Sequence, residues 1–184
     1  MKLKKYSMIE NVFLESNNIY LRVLIESDVS GNYKNWLNNP DVNKYNSHGR
    51  FPKTEFDLLD FIRSNKNNNK NIILAIIEKT NNKHIGNISL QNINWVDRNV
   101  EIAFLLGEKD FWGKGIMFEA GTLLIKHAFN TLNLHRVYCG TSSENKSMQK
   151  LATKLGMSLE GVRREALFKN GKYVDIMEYG IINK

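Results

Sequence analysis

The sequence has a single cysteine, Cys139, so no disulfide can form within the chain. Only two prolines occur, and no Pro- or Ser-rich linker or internal repeat divides the 184 residues. No apolar run approaches the roughly 18–20 residues that span a bilayer. The basic N-terminus lacks the long apolar stretch and the small-residue cleavage site of a signal peptide. These absences predict a single domain, residues 1–184, in a reducing, cytoplasmic compartment and away from membranes.

The charge balance is basic, with 26 Lys and Arg against 19 Asp and Glu and a net charge of +7. A net positive charge attracts anionic partners, such as nucleic acid or a phosphorylated cofactor. It is also explained by solubility alone. The lysines are scattered, and no dense run of aromatics alternates with basic residues, so a nucleic-acid surface is not expected. No metal is predicted, because metal-ligand spacing is missing among the four histidines, His48, His84, His127 and His135.

Apolar periodicity predicts strands and helices in the order βααβββαβαββ. The stretch "NIYLRVLI" predicts the first strand, and Ser27 or Asp28 is expected to cap a helix that Pro40 ends. Pro52 then precedes a second helix, whose apolar face is predicted to consist of Phe56, Leu59, Phe61 and Ile62.

Three strands follow at "NIILAIIEK", "KHIGNISLQNINW" and "NVEIAFLLG", and the short turns between them predict an antiparallel meander. The segment "GIMFEAGTLLIKHAFNTL" predicts a helix of roughly five turns, and "LHRVYCGTS" predicts a strand. Gly156 is the expected end of the next helix, and Asn170-Gly171 is the expected turn of a closing hairpin. The whole pattern is that of an α+β fold with helices on the faces of a sheet.

Two glycines flank Lys114 where the third meander strand gives way to the long helix, in "WGKGIM". A helix N-terminus presents unpaired N–H groups and a partial positive charge, and glycine lets a bulky anion approach the backbone. The stretch therefore predicts a phosphate or pyrophosphate cradle, although a plain tight turn has the same residues. It is neither a Walker loop nor a dinucleotide fingerprint, since the Lys-Ser/Thr pair and the third glycine are absent.

The order of elements, together with "VEIAFLLGEKDFWGKGIMFEAGTLLIKHAF" and "LHRVYCGTSSENKSMQKLATKLGM", resembles the GCN5-related N-acetyltransferases (the GNAT family). The resemblance covers nearly the whole chain and is strongest to the branch with the ribosomal-protein alanine N-acetyltransferases. It implies a mixed, mostly antiparallel central sheet with helices on both faces. It also implies an enzyme that uses acetyl-CoA as a cosubstrate.

The resemblance assigns the cofactor site residue by residue. Gly113 and Gly115 match the last two places of the family's pyrophosphate-binding pattern, whereas Asp110 departs from its Gln or Arg. Asn145 matches the asparagine that binds pantetheine, and Met148 stands where the family has a serine. The pantetheine arm is expected to pair with the "EIAFLL" strand where that strand splays from its neighbour. The implied cofactor-binding residues are Phe104, Leu105, Leu106, Trp112, Gly113, Lys114, Gly115, Ile116, Met117 and Asn145.

Acetyl transfer from a thioester to an amine needs a neutral amine, donors for the oxyanion and a stabilised leaving thiolate. Glu101, at the start of the cofactor strand, is the predicted base, and Glu160 is a second candidate. A strand N–H near Leu105 is the predicted oxyanion donor. The family's tyrosine acid is missing, because Ala152 occupies its place.

Ser147 is the next candidate for the acid, and Tyr138 and Cys139 are weaker ones. Water could also serve, since a thiolate with a pKa of about 8–9 is a fair leaving group. Cys139 itself is expected to be a packed core thiol.

The acceptor pocket is expected between the first two helices, the loop "NKYNSHGRF" and the final hairpin. Tyr45, Asn46, His48 and Arg50 on the loop suit hydrogen bonds to a sugar or a phosphate, and the same residues equally suit a disordered lid. The hairpin adds Arg163, Arg164, Lys169 and Tyr173, and these basic residues favour an acidic acceptor over a cationic polyamine.

The prediction is therefore a direct, ternary-complex N-acetyltransferase acting on a protein N-terminal or small-molecule amine, as a monomer or homodimer. A nucleotide-linked amino sugar as acceptor, a non-catalytic acyl-CoA-binding module and a nucleic-acid-binding domain are the alternatives.

Overall fold

The computed structural model describes residues 12–66 and 68–184. That part of the chain forms eight strands, four α-helices and two short 3-10 helices at Glu26–Ser30 and Lys109–Phe111. The strands are β1 (Leu14–Glu15), β2 (Ile19–Val23), β3 (Ile72–Glu78), β4 (Lys83–Asn94), β5 (Asn99–Leu106), β6 (Arg136–Ser142), β7 (Ser158–Lys169) and β8 (Lys172–Ile182). The helices are α1 (Tyr33–Asn38), α2 (Glu55–Ser64), α3 (Ile116–Asn130) and α4 (Lys146–Lys154).

All eight strands join one sheet in the order β1-β2-β3-β4-β5-β6-β8-β7. Only β5 and β6 are parallel; the other neighbours are antiparallel, so the predicted mixed, mostly antiparallel sheet and its central meander are confirmed. The order predicted from the sequence, βααβββαβαββ, lacked the short strand β1. This strand has two residues, too few for the alternation that identifies a strand.

Helices cover both faces of the sheet, as predicted. Successive strand residues point to opposite faces. In β3, Leu74 and Ile76 join the core under α3 and α4, and Ala75 and Ile77 join the core under α1 and α2. The sheet thus separates two apolar layers.

The first predicted helix is divided in the structure into the 3-10 helix Glu26–Ser30 and α1. Neither Ser27 nor Asp28 is the N-cap residue, which is Ile25, but the Asp28 carboxylate accepts from the Ile25 N–H at 2.9 Å in a capping box. The same carboxylate accepts from the Arg22 guanidinium at 2.7 and 2.8 Å. Burial raises the pKa of Asp28, but these hydrogen bonds outweigh it and lower the pKa below its ordinary value. The buried pair anchors the turn before α1 to β2.

The buried stripe of α2 agrees with the prediction at Ile62 and in part at Leu59, which packs against the same core, but not at Phe56 or Phe61. Leu58 and Ile62, one turn apart, face the core, whereas Phe56 is 74% exposed. Thr54 caps this helix by accepting from the Asp57 N–H at 3.2 Å. Phe56 lies about 200° around the helix from Leu58, so it cannot share the core face.

Both predicted glycine positions near the C-terminus are confirmed. Gly156 follows α4 with φ of +85°, and the Asn170-Gly171 turn has φ of +52° and +78°. Two successive positive φ angles define the type I′ turn that joins β7 to β8. Within residues 12–66 and 68–184, no helix is both long and apolar enough to cross a membrane.

Candidate active site

The site begins where two parallel strands diverge. β5 and β6 pair over three positions, the last of them Glu101 with Tyr138. A cavity of about 480 Å³ opens beyond that point, with residues 102–106 on one wall and residues 139–142 on the other. The strand is therefore splayed as predicted, and its backbone on that side has no strand partner in the described part of the chain.

Four of the implied cofactor residues line this cavity: Phe104, Leu105, Leu106 and Asn145. The other six, residues 112–117, form the turn before α3 and its first residues. The indole N–H of Trp112 donates to the Leu106 carbonyl at 2.9 Å. This hydrogen bond fixes the turn to the end of β5, next to the cavity.

The turn has the open backbone that a diphosphate requires. Gly113 has φ of +74°, and Gly115, the N-cap of α3, has φ of +80°. A Cβ built on either glycine would meet no atom within 4 Å. In the described residues, the N–H groups of Gly113, Gly115, Ile116 and Met117 have no hydrogen-bond acceptor. These donors at a helix N-terminus fit the pyrophosphate of coenzyme A.

Side-chain charge at this turn is modest. The Lys114 ammonium lies 5.4 Å from the centre of the Phe111 ring, and the side chain is exposed to solvent. Asp110, the departure from the family pattern, is solvent-exposed. The binding capacity of the turn therefore resides mainly in its backbone.

Asn145 is the N-cap of α4, and its Oδ1 accepts from the Met148 N–H at 3.1 Å. Its amide nitrogen makes no hydrogen bond to the described residues and is available to a ligand in the cavity. Met148 lines the cavity, but the neighbouring Ser147 is exposed and does not. The structure thus does not bring the predicted acid Ser147 to the site.

Glu101 occupies the fork of the two strands and lines the cavity. Burial raises its pKa above the ordinary value, the negative charge of Glu178 adds to this effect, and Arg163 partly offsets it. Arg163 is held in place because its Nε donates to the Glu178 carboxylate at 2.7 Å. A half-buried carboxylate with a raised pKa has the properties of a general base.

Glu160 lies elsewhere. Its carboxylate forms an ion pair with Arg136, which lowers its pKa, and it does not line the cavity. Cys139 does line the cavity, but burial and the nearby carboxylates raise the pKa of its thiol to about 12. Tyr138 does not line it, and Ala152 is buried in the core. No group of three or more potential metal ligands occurs among the described residues.

The loop and hairpin expected at the acceptor side are adjacent to one another. Lys169 donates to the Asn46 carbonyl at 3.1 Å, and Arg50 donates to the Phe168 carbonyl at 3.3 Å. Three predicted loop residues, Tyr45, Asn46 and His48, line the cavity together with Arg163, whereas Arg50, Arg164, Lys169 and Tyr173 do not. Burial, with Lys53 and Lys169 nearby, lowers the pKa of the His48 ring, although this side chain is partly open to solvent.

A second cavity of about 390 Å³ lies between the sheet and helices α1 and α2. The two cavities are adjacent, because they share five lining residues: His48, Gln91, Ala103, Phe104 and Leu105. The other walls of the second cavity include Tyr33 from α1, Leu58 from α2, and Asn87 and Ser89 from β4.

Sequence reasoning missed Glu178 and the polar row Asn87, Ser89 and Gln91. The row carried a signal, because these three alternate with Ile88 and Leu90 at the two-residue period of a strand. Glu178 carried none, since only the pairing of β6 with β8 brings it beside the site.

Comparison with known proteins agrees with this geometry. Residues 18–158 match the family model described as Acetyltransferase (GNAT) domain. The chain belongs to the GNAT acetyltransferase family. Both the predicted family and the predicted fold class are thereby confirmed.

Two curated relatives show the range of functions among similar proteins. The candidate ribosomal N-acetyltransferase YdaF of Bacillus subtilis (strain 168) is 34% identical over 99 residues, 54% of this chain and 54% of YdaF. The spermidine N(1)-acetyltransferase of Escherichia coli (strain K12) is 33% identical over 88 residues, 48% of this chain and 47% of that enzyme. The chain spans about half the length of these relatives.

Two solved structures share the fold over nearly the whole chain. RimL, the ribosomal L7/L12 alpha-N-protein acetyltransferase in complex with coenzyme A, has a TM-score of 0.84 at 20% identity and covers 94% of this chain and 98% of its own. The microcin C7 self immunity acetyltransferase MccE, in complex with acetyl-CoA and AMP, has a TM-score of 0.80 at 26% identity, covering 91% and 94%. Both structures contain coenzyme A or its acetyl form, in agreement with the predicted cosubstrate.

Proposed function

We propose that this protein transfers the acetyl group of acetyl-CoA to a primary amine by direct attack in a ternary complex. The single observation that carries the proposal is the fork between β5 and β6. A half-buried carboxylate, Glu101, lies at its base, and an anion cradle, Gly113–Gly115, lies beyond its far end. The GNAT family match supports the reaction class.

Acetyl-CoA supplies an activated thioester carbonyl when bound. The N–H groups at the start of α3 would hold its pyrophosphate, and the Asn145 amide would bind the pantetheine arm. The free backbone edge of residues 102–106 would pair with that arm as an additional strand. The thioester then lies in the fork, close to Glu101.

The chemical step needs a neutral amine, because a protonated amine has no lone pair for attack. Glu101 is our proposed base, and its raised pKa favours acceptance of a proton near neutral pH. A new C–N bond forms as the C–S bond breaks, and a backbone N–H near Leu105 stabilises the carbonyl oxygen. Glu160 has no place in this scheme, because Arg136 holds its carboxylate.

The leaving thiolate would take its proton from water. Ser147 is exposed outside the cavity, and the Cys139 thiol, with a pKa of about 12, is a poor donor. A thiol has an unperturbed pKa of about 8.5, so the thiolate of coenzyme A leaves without a dedicated acid.

Incubation with acetyl-CoA and a panel of amines tests the proposal. The panel contains short peptides, amino sugars, a nucleotide-linked amino sugar and polyamines. We expect stoichiometric release of free thiol and a product heavier by one acetyl group in mass spectrometry. Acetyl-CoA binding without transfer to any amine would identify a non-catalytic binding module. Salt-sensitive binding of random DNA would favour the nucleic-acid alternative.

A further inference from the structure

The second cavity contains polar atoms that the protein itself leaves unused. His84 Nε2 lies 2.8 Å from Asn87 Oδ1 and 3.1 Å from the Gly86 carbonyl, so it must carry the proton and donate to both. The amide oxygen of Asn87 is thereby occupied. Its NH₂ group has no partner among the described residues and lines the cavity.

The same logic applies to the next two residues of the row. Gln91 Nε2 donates to Ser89 Oγ at 2.8 Å, which leaves the Gln91 carbonyl oxygen and the Ser89 hydroxyl hydrogen without partners in the described structure. The Tyr33 hydroxyl also makes no hydrogen bond to the described residues. Burial raises the pKa of Tyr33 to about 12, so this hydroxyl stays neutral.

The row leads to the proposed base. Gln91 lies opposite Glu101 in the register of β4 and β5, with Ser89 opposite Ala103 and Asn87 opposite Leu105. Alternate residues of a strand are about 6.6 Å apart, so the row extends about 13 Å away from Glu101. An amine beside Glu101 would therefore have the rest of its molecule along these side chains.

The charges in this cavity argue against a polycation. Asp57 is the one carboxylate among its described lining residues, and it accepts from both the N–H and the hydroxyl of Thr54 at 2.7 Å. The hydrogen bonds from Thr54 lower the pKa of Asp57, and the charge of Lys53, which lines the same cavity, lowers it further. Because the Lys53 ammonium offsets the charge of Asp57, this cavity has no net negative charge to attract a distal ammonium group.

We propose that Asn87, Ser89 and Gln91 bind the part of the acceptor molecule next to its amine. That part is uncharged and forms hydrogen bonds with these three side chains. The row offers donors at Asn87 and Ser89 and an acceptor at Gln91. The hydroxyl groups of an amino sugar and the amides of a peptide N-terminus share this chemistry. The inference rests on the proposed function, because it requires the amine to sit at Glu101.

The test measures binding and transfer separately. Glucosamine, the tripeptide amide Ala-Ala-Ala-NH₂ and spermidine are titrated by calorimetry into protein saturated with coenzyme A. We expect glucosamine or the tripeptide amide to bind at least tenfold more tightly than spermidine. The tighter of the two identifies the acceptor as sugar or peptide. Ser89→Ala and Gln91→Met should each weaken that binding about fivefold, the loss of one hydrogen bond.

Ser158→Ala is the matched control, because Ser158 is exposed and lies outside both cavities. The affinity for coenzyme A should stay unchanged in all three variants. The melting temperature should fall only slightly in the two row variants, because each loses the Gln91–Ser89 hydrogen bond. Tightest binding of spermidine, or unchanged binding in both row variants, would overturn the inference. Binding of glucosamine or the tripeptide amide without acetyl transfer would instead overturn the proposed function, and the row would then be a ligand-binding site without an acetyl acceptor.

Discussion

Two glutamates that look alike in the sequence have opposite environments. Glu101 is half-buried beside a second carboxylate, Glu178, and its pKa is raised. Glu160 is paired with Arg136, and its pKa is lowered. Environment, rather than residue type, makes one a candidate base and the other a structural ion pair.

Glu101→Gln should cost activity and improve stability. Because the folded protein raises the pKa of Glu101, the stability contributed by its proton is lost as pH rises through that pKa. At pH 7 the ionised side chain therefore destabilises the fold, and glutamine removes this penalty. We expect turnover to fall about 10²–10⁴-fold. The melting temperature should rise at pH 7, with the difference vanishing below about pH 4.

Glu160→Gln is the comparison variant. Its lowered pKa means that the ionised form stabilises the fold, so the variant should melt at a lower temperature and keep its turnover. The pH–rate profile adds a second readout. The activity of the parent should decrease when the pH is lowered past the raised pKa of Glu101. The activity of Glu101→Gln should decrease at a higher pH, as soon as the pH is lowered past the pKa of the amine. Equal profiles for parent and Glu101→Gln would exclude Glu101 as the base.

At the scale of elements, the turn into α3 is the proposed binding site for the pyrophosphate of coenzyme A. Its two positive φ angles direct successive N–H groups outward, and the Trp112 indole ties the turn to β5. The turn and the splayed edge of β5 therefore act as one unit. Neither element alone would place a thioester beside Glu101.

Gly115→Val should weaken coenzyme A binding more than it weakens the fold. A branched side chain at φ of +80° costs about 1–2 kcal/mol, and it also occupies the open space over the cradle. Gly171→Val is a matched control, because Gly171 has φ of +78° and equally open surroundings in the distant hairpin turn. The melting temperature should decrease by a similar amount in both variants. Only Gly115→Val should bind coenzyme A more weakly in calorimetry. If Gly115→Val and the parent bound coenzyme A with equal affinity, the assignment of this turn as the pyrophosphate cradle would be wrong.

Over the whole molecule, the sheet joins two layers with different tasks. The layer with α3 and α4 carries the cradle, and the layer with α1 and α2 covers the second cavity. Trp36 of α1 lies against Gly107 just after β5, and its indole donates to the Glu108 carboxylate at 2.9 Å. This contact connects the acceptor layer to the strand that holds Glu101.

Gly107→Ala should disturb that connection. A Cβ at Gly107 would lie 1.9 Å from the Trp36 ring, so α1 must move, at a cost of about 1–3 kcal/mol. We expect a lower melting temperature and a raised KM for the amine, with coenzyme A affinity retained. Gly161→Ala provides the control, because a Cβ there meets nothing within 4 Å. A Gly107→Ala protein with the parent's stability and amine KM would show that this contact does not position α1.

Local patterns in the sequence determined most of the elements and the family, and they are the basis of the proposed cradle. Alternating apolar residues specify strands, Asn170-Gly171 specifies a hairpin, and two glycines at a helix start specify an exposed N-terminus, because each depends on neighbours within a few positions. Only the tertiary structure decided the rest. Burial and the charge of Glu178 on β8 raise the pKa of Glu101, and Arg163 on β7 offsets part of that rise. The polar row becomes a pocket only when α1 and α2 cover it. Burial and charge–charge interactions depend on distance in space, which sequence separation does not report.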